Sequence, residues 1–324
     1  MKTIRFHNVF INNHYTLLGR NEHSPVIENK VDKNLNDYYN NEKTVELGEI
    51  SYQKESIKGL LNKIKKHEND IDLLIGGDLQ NQILATNFGA KEFNISHLGI
   101  YSACATFAEG LIIGASFIEN GLVKNAIVTT SSHNLVSEKQ FRFPIEYGAI
   151  RKKVNTFTAT GSVSTYITTS GNIKIESATI GKVIDINYDD PNNMGACMAP
   201  SAAETIYEHL KSTGRKPDYY DLILTGDIGK CGTLIVEEYL KRKYNLIVKN
   251  INDSGVLLFN AQSNKKISGG SGPICLPLIL FNKISKIKYR KILIVGTGSL
   301  HSALSSNLKL SVPSISHAIS LEVI

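Results

Sequence analysis

The sequence predicts an α/β fold made of two copies of one unit, and three observations carry that expectation. Short β-rich apolar runs alternate with longer helical stretches along most of the chain, the pattern of βαβ units. The string Asp72-Leu73-Leu74-Ile75-Gly76-Gly77-Asp78 returns as Asp221-Leu222-Ile223-Leu224-Thr225-Gly226-Asp227. The run from Lys124 to Ser132 is mirrored, in the same order, by Arg290 to Ser299. Chance likeness of apolar strands would explain one match; two in order favour an internal duplication. The halves are expected at residues 1–170 and 171–324.

The 324 residues are 42% apolar and 20% charged, a globular composition long enough for one large domain or two medium ones. The net charge of +6 is dispersed. Its densest stretch, Lys54 to Lys66, carries Ile57, Leu60, Leu61 and Ile64 at helical spacing. That describes an amphipathic surface helix with a lysine-rich solvent face; weak attraction to an anionic membrane surface is the alternative. No basic patch is interleaved with aromatics, so no nucleic-acid partner is expected. Cys104, Cys197, Cys231 and Cys275 form no CxxC pair and no Cys/His cluster with zinc spacing, so neither a disulfide framework nor a metal site is expected. The N-terminus lacks an apolar core of signal-peptide type. Glu109 interrupts the longest near-apolar window, Leu98 to Ile118, which reads as a core helix rather than a membrane span. A soluble, cytoplasmic chain in a reducing compartment is the expectation.

In chain order, Ile4-Arg5-Phe6 and Val9-Phe10-Ile11 read as short strands, and Arg20 to Thr44 as an irregular surface loop. Gly48 to His67 is the amphipathic helix. A strand runs from Asp70 into Asp78, and Leu79 to Phe88 is a short helix. Next comes the stretch from Gly99 to Ser132. Cys104 sits between Ser102-Ala103 and Ala105-Thr106, opening an apolar helix from Phe107 to Ile118; a turn at Asn120-Gly121 and a strand, Ala126 to Thr130, follow. Unpaired N–H groups and the helix dipole at such a start favour a thiolate. The arrangement suits a nucleophile, and equally an anion-binding pocket. Ser131-Ser132-His133-Asn134 and the aperiodic 139–148 segment form a loop of the kind that carries ligand contacts. Ala159-Thr160-Gly161-Ser162 opens a strand to Thr168, and Ile173 to Ile184 is β-rich. A loop at 189–195 precedes a helix from Pro200 to Leu210. After the repeated strand, the small-residue loop Ser268 to Pro273 opens the apolar run Ile274 to Leu280, and Arg290 to Ser299 is a strand.

Ser102-Ala103-Cys104-Ala105-Thr106-Phe107, its helix and the strand into Thr129 resemble the nucleophile segment of thiolase-fold enzymes of the ketoacyl synthase III type. Ala159-Thr160-Gly161-Ser162 is similar to their DGAG-like strand start. The resemblance covers residues 45–324 and implies a thiolase-like five-layered αβαβα fold of two duplicated halves. It tightens for the stage V sporulation protein AD family, carried by Gly76 to Gln82, Thr130 to Asn134, Gln140 to Gly148, Asn193 to Pro200 and Leu224 to Asp227. That family resemblance implies binding of dipicolinic acid (pyridine-2,6-dicarboxylate), alone or as its calcium chelate, and help with its uptake into the developing spore. It also implies membrane proteins of the same sporulation channel system as partners, and a peripheral position at the spore inner membrane. Calcium would enter only inside the ligand chelate; no other cofactor is implied, and a homodimer stays an open expectation.

Condensing enzymes of this fold need an imidazole and an amide, or two imidazoles, to stabilise the enolate formed beside the cysteine. Here Asp227 stands where a histidine is expected, and Ser268-Gly269-Gly270-Ser271-Gly272 offers neither histidine nor asparagine. A carboxylate repels a developing enolate. No catalytic residue is therefore assigned, and Cys104 is a vestigial nucleophile candidate. The resemblance implies a ligand pocket built from Cys104, Ser132, His133, Arg142, Glu146, Thr160, Met198, Asp227 and Ser271. Each has a plainer alternative: Cys104 as a small core residue, His133 capping backbone, Arg142 and Glu146 pairing with each other, Asp227 holding its own loop. The competing function is an acyltransferase or condensing enzyme acting on acyl thioesters through Cys104.

Overall fold

The computed structural model describes residues 1–20, 30–141, 152–260, 267–284 and 289–324. The first half contributes strands β1 (Lys2–Arg5), β2 (Phe10–Leu18) and β3 (Lys33–Asn34), helix α1 (Val45–Ile64), β4 (Leu73–Gly77), α2 (Leu84–Ala90), β5 (His97–Gly99), α3 (Thr106–Glu119), β6 (Asn125–Ser132), α4 (Asn134–Phe141), β7 (Thr156–Thr158) and β8 (Gly161–Thr168). The second contributes β9 (Ile173–Ile180), α5 (Met194–Thr213), β10 (Leu222–Thr225), α6 (Gly229–Tyr244), β11 (Ile251–Asp253), α7 (Ser254–Leu258), β12 (Gly269–Ser271), α8 (Cys275–Ile284), β13 (Lys291–Ser299), α9 (Ala303–Asn307) and β14 (Ser314–Val323).

The strand order is β11-β10-β13-β14-β9-β2-β8-β6-β4-β5. It reads as one five-strand motif and its twin, meeting where Phe10 and Ile11 of β2 pair with Lys174 and Ile173 of β9. Parallel β4–β5 and β4–β6 match parallel β10–β11 and β10–β13. Antiparallel β6–β8 and β8–β2 match antiparallel β13–β14 and β14–β9. Even the strand-start aspartates repeat: Asp72 Oδ2 accepts from Lys124 N, and Asp221 Oδ2 from Arg290 N and Lys291 N.

Period-two alternation sorts the buried side chains into layers. Leu73 and Ile75, Ala126 and Val128, Leu222 and Leu224, and Ile292 and Ile294 face a central core shared by both halves. Leu74 and Ile127 face the outer core under α1, and Ile223, Leu293 and Val295 the outer core under α5 and α6. Helices α3 and α8 fill the middle, their Phe107 and Phe281 rings meeting edge-on at 6.4 Å. This is the thiolase-like αβαβα arrangement.

Several local expectations change. Cys104 does not open the helix: it sits in a short 3-10 turn, Ala103–Ala105, one turn before α3. The segment read as an aperiodic loop begins as helix α4, and the remainder, including Arg142 and Glu146, lies outside the described residues. Helix α5 starts at Met194, with Pro200 inside it. Strand β14, which no sequence signal marked, lies buried between β13 and β9. On the lysine face of α1, Lys54 pairs with Glu92 and Lys63 with Asp32, while Lys58 is exposed.

Two buried carboxyls meet at the inner face of α1, Glu49 on the helix and Asp78 at the end of β4. Glu49 accepts from Gln80 Nε2 (2.8 Å) and Ser131 Oγ (3.0 Å); Asp78 accepts from the Gln80 and Thr86 amides. Burial first, and the Asp78 charge second, push Glu49 up to about 8. A carboxyl whose pKa is raised by folding stabilises most when protonated. Its contribution is present below the ordinary carboxylate range and is lost as pH rises toward 8. Thermal melts should therefore show Glu49→Gln losing less stability than the wild type between pH 5 and pH 8; parallel curves would contradict the assignment.

Candidate functional site

The site begins with a strained turn. Ala103 has φ +50°, a conformation that costs a non-glycine residue about 1 kcal/mol or more. It is held by Thr106 Oγ1, which donates to Ala103 O (2.6 Å) and accepts from Ser102 N (3.1 Å). The turn lies directly on β13, because Gly296 and Gly298 face it. A Cβ at 298 would stand 2.2 Å from Ser102 O, and one at 296 would stand 2.7 Å from Ala108 Cβ.

Opposite Cys104, β12 brings in Ser271 and the turn at Gly272. Cys104 Sγ lies 3.9 Å from Ser271 Oγ. Gly272 has φ +106°, and a Cβ there would stand 2.6 Å from Ser132 Oγ, so the turn requires glycine. Its N–H donates to Asp227 Oδ2 at 3.0 Å. Ser271 Oγ donates to the same oxygen (3.1 Å), and Thr297 Oγ1 donates to Oδ1 (2.9 Å). Ser271 Oγ thus stands between the Cys104 thiol and the Asp227 carboxylate. Asp253 fixes the loop that carries Asp227, accepting from Ile228 N, Gly229 N and Val256 N and from Thr225 Oγ1.

This environment does not favour the thiolate that a helix start would. The Cys104 thiol is 6% exposed, and its pKa is pushed well above normal by burial and then by the Asp227 carboxylate. The helix-start effect is absent because the thiol lies a turn before α3, beside a carboxylate. Asp227 is itself held above the usual carboxylate range by burial.

Cys104 and Ser271 line a narrow cavity of about 40 Å³. Tyr101, Ser137, Glu138, Phe141, Ser299 and His301 stand on the same wall or rim. Ser299 Oγ and His301 Nδ1 are 2.9 Å apart, and the His301 and Phe141 rings lie 5.3 Å apart. Ser137 Oγ is buried without a hydrogen-bond partner. Of the residues expected from sequence, Cys104, Asp227 and Ser271 are brought together, Asp227 behind the thiol.

Four others do not line this cavity. Ser132 Oγ donates to Ala159 O (2.7 Å), and Thr160 Oγ1 accepts from Asn134 N (3.0 Å), so both tie β6 to β8. His133 donates from Nε2 to Tyr38 O (2.9 Å), packs against Tyr52, and is driven to about pKa 4 by burial. Met198 is fully buried in the outer core under α5. Arg142 and Glu146 lie outside the described residues. Sequence reasoning passed over His301, although the repeat held a signal: it follows the second-half strand end much as His133 follows the first.

The family model described as stage V sporulation protein AD matches residues 1–322. Stage V sporulation protein AD of Bacillus subtilis is 35% identical over 321 residues, covering 98% of this chain and 95% of that protein. Among solved structures, an OleA variant of Xanthomonas campestris is similar with a TM-score of 0.63 at 14% identity, covering 98% of this chain and 99% of that one. 3-Oxoacyl-[acyl-carrier-protein] synthase III of Aquifex aeolicus gives 0.57 at 14% identity, with 97% and 99% covered. At these identities the structural likeness establishes the thiolase-like fold alone.

Proposed function

The chain belongs to the stage V sporulation protein AD family, and from that membership and the chemistry of the pocket we propose a ligand-binding sporulation protein that performs no condensation. The observation that carries this reading is the chain from the buried Cys104 thiol through Ser271 Oγ, 3.9 Å away, to the Asp227 carboxylate that Ser271 bonds. A thiol raised by burial and by a carboxylate is a poor nucleophile, and the same carboxylate opposes enolate formation. What remains is a pocket walled by hydroxyls and rings.

The ligand proposed is dipicolinic acid, free or as its calcium chelate, assisted in its passage into the developing spore. The flat ring would lie beside Phe141 and His301, and one of its carboxylates would accept from the Ser137 hydroxyl. Ser137 is the informative group: a buried hydroxyl without a partner is costly unless something fills the space it faces. For the chelate, Glu138 is the carboxylate that lines the cavity. The proposed partners are membrane proteins of the same sporulation channel system.

Calorimetry should register dipicolinate binding, and Ser137→Val should weaken it about tenfold, the expected loss of one hydrogen bond to a charged group. Absence of heat at millimolar dipicolinate, with and without calcium, would refute the ligand. The acyltransferase reading is tested separately. Incubation with short acyl-coenzyme A thioesters should leave the intact mass unchanged; an acyl adduct on Cys104 would overturn the non-catalytic reading.

A further inference from the structure

Five aliphatic side chains stand out of the surface beside the pocket mouth. Leu304, Leu308 and Leu310 are 68%, 61% and 55% exposed, and Val183 and Ile186 are 55% and 49% exposed. Although far apart in sequence, they belong to one rim. Ile184 and Ser314 exchange backbone hydrogen bonds (2.8 and 2.9 Å), Val312 N donates to Tyr188 O (2.7 Å), and Ser311 Oγ donates to Asp185. Two tight turns, at Asn187 (φ +56°) and Lys309 (φ +55°), shape this rim. Its neighbours in sequence, Pro191 and His301, line the cavity, so rim and mouth share one side of the molecule.

Clustered exposed aliphatics of this size mark an interaction surface. Their chemistry favours lipid over protein. Protein hot spots are rich in Trp, Tyr and Arg and poor in Leu and Val, whereas this rim is wholly Leu, Val and Ile. Exposed Lys182 and Lys309 stand directly beside Val183 and between Leu308 and Leu310, the place for headgroup phosphates. Of the nearby acids, Asp185 is bonded to Ser311 and Asp190 lies 3.6 Å from Lys152; Asp189 is the third. On α1, the sequence-based candidate for membrane contact, Lys54 and Lys63 are held in ion pairs.

We propose that this rim seats the protein on the surface of an anionic bilayer, with the pocket mouth turned toward the membrane. The aliphatic tips enter the headgroup boundary, and the two lysines meet lipid phosphates. A ligand leaving the pocket would then emerge at the bilayer surface rather than into bulk solvent.

Flotation of the unliganded protein with phosphatidylglycerol–phosphatidylcholine vesicles tests this independently of dipicolinate binding. The wild type should float, less so in high salt or on pure phosphatidylcholine. Leu304→Ser combined with Leu308→Ser and Leu310→Ser should reduce vesicle binding about tenfold or more while leaving the melting temperature unchanged, since all three side chains are exposed. Lys182→Glu with Lys309→Glu should weaken binding and flatten its salt dependence. Two results would overturn the proposal: a wild type that stays off the vesicles, or a triple variant that floats as well as the wild type. Light scattering that finds a dimer abolished by the triple variant would assign the rim to a second copy of the chain instead.

Discussion

Replacing Gly298 with valine is expected to lower the melting temperature by about 2–5 °C and to abolish ligand binding. A Cβ there would sit 2.2 Å from Ser102 O and 3.3 Å from Ala105 N and Cβ. The closest atom is backbone, so no flexible side chain can yield. Nor can the turn retreat easily, because Ala103 is strained and pinned by both hydrogen bonds of Thr106. Overpacking of this kind costs about 1–3 kcal/mol, and at about 2.1 cal/mol/K of unfolding entropy per residue each kcal/mol is worth about 1.5 °C in a chain of this size. Gly121→Ala is the control: it has positive φ (+68°) but nothing within 4 Å, so it carries only the conformational penalty. Equal melting temperatures for the two variants would mean that the cysteine turn does not rest on β13 as described.

Substituting Asp227 should produce two opposite effects, depending on the replacement. Asp227→Asn removes the charge beside the Cys104 thiol at nearly constant shape. Burial, the larger cause of the raised thiol pKa, remains, so the fall is partial. A fall of one unit gives about tenfold more thiolate at a given pH. Alkylation of Cys104 by iodoacetamide at pH 8 should accelerate by roughly that factor, with its pH–rate profile displaced to lower pH. Asp227→Leu also removes the charge, but it strands the donors of Ser271, Gly272 and Thr297 in a buried site. At about 1–3 kcal/mol per orphaned group, this variant should be severely destabilised or fail to fold. Unchanged alkylation in the Asn variant would show that Asp227 does not govern the thiol.

Much of the architecture was legible along the chain. Alternation in Leu73-Leu74-Ile75 and Ala126-Ile127-Val128 gives strands buried on both faces, and the repeated Asp-to-Asp strings give the second half its order. These signals are local, so composition and spacing carry them. Strand β14 was missed because its small polar residues, Ser314, Ser316, His317 and Ser320, give no apolar run. They are tolerated inside because each finds a partner in the fold, as Ser316 Oγ finds Gly296 O and Ser320 Oγ finds Glu176.

The site was legible only in part. Cys104, Asp227 and Ser271 were singled out together, but from sequence the cysteine's helix-start position suggested a thiolate. What suppresses it is burial first, and then a carboxylate from the other half of the chain, delivered beside Ser271, itself 167 positions from Cys104. His133, adjacent to a strand end in sequence, turns toward Tyr38 and Tyr52, while His301 turns toward the cavity. The direction of a side chain at a strand end changes with a shift of one residue, and sheet register sets it. Local pattern thus determined that this chain is two stacked copies of one α/β unit bearing a cysteine before a buried helix. Only the tertiary structure decided that the cysteine faces an aspartate, because a pKa is set by neighbours in space and not by neighbours in sequence.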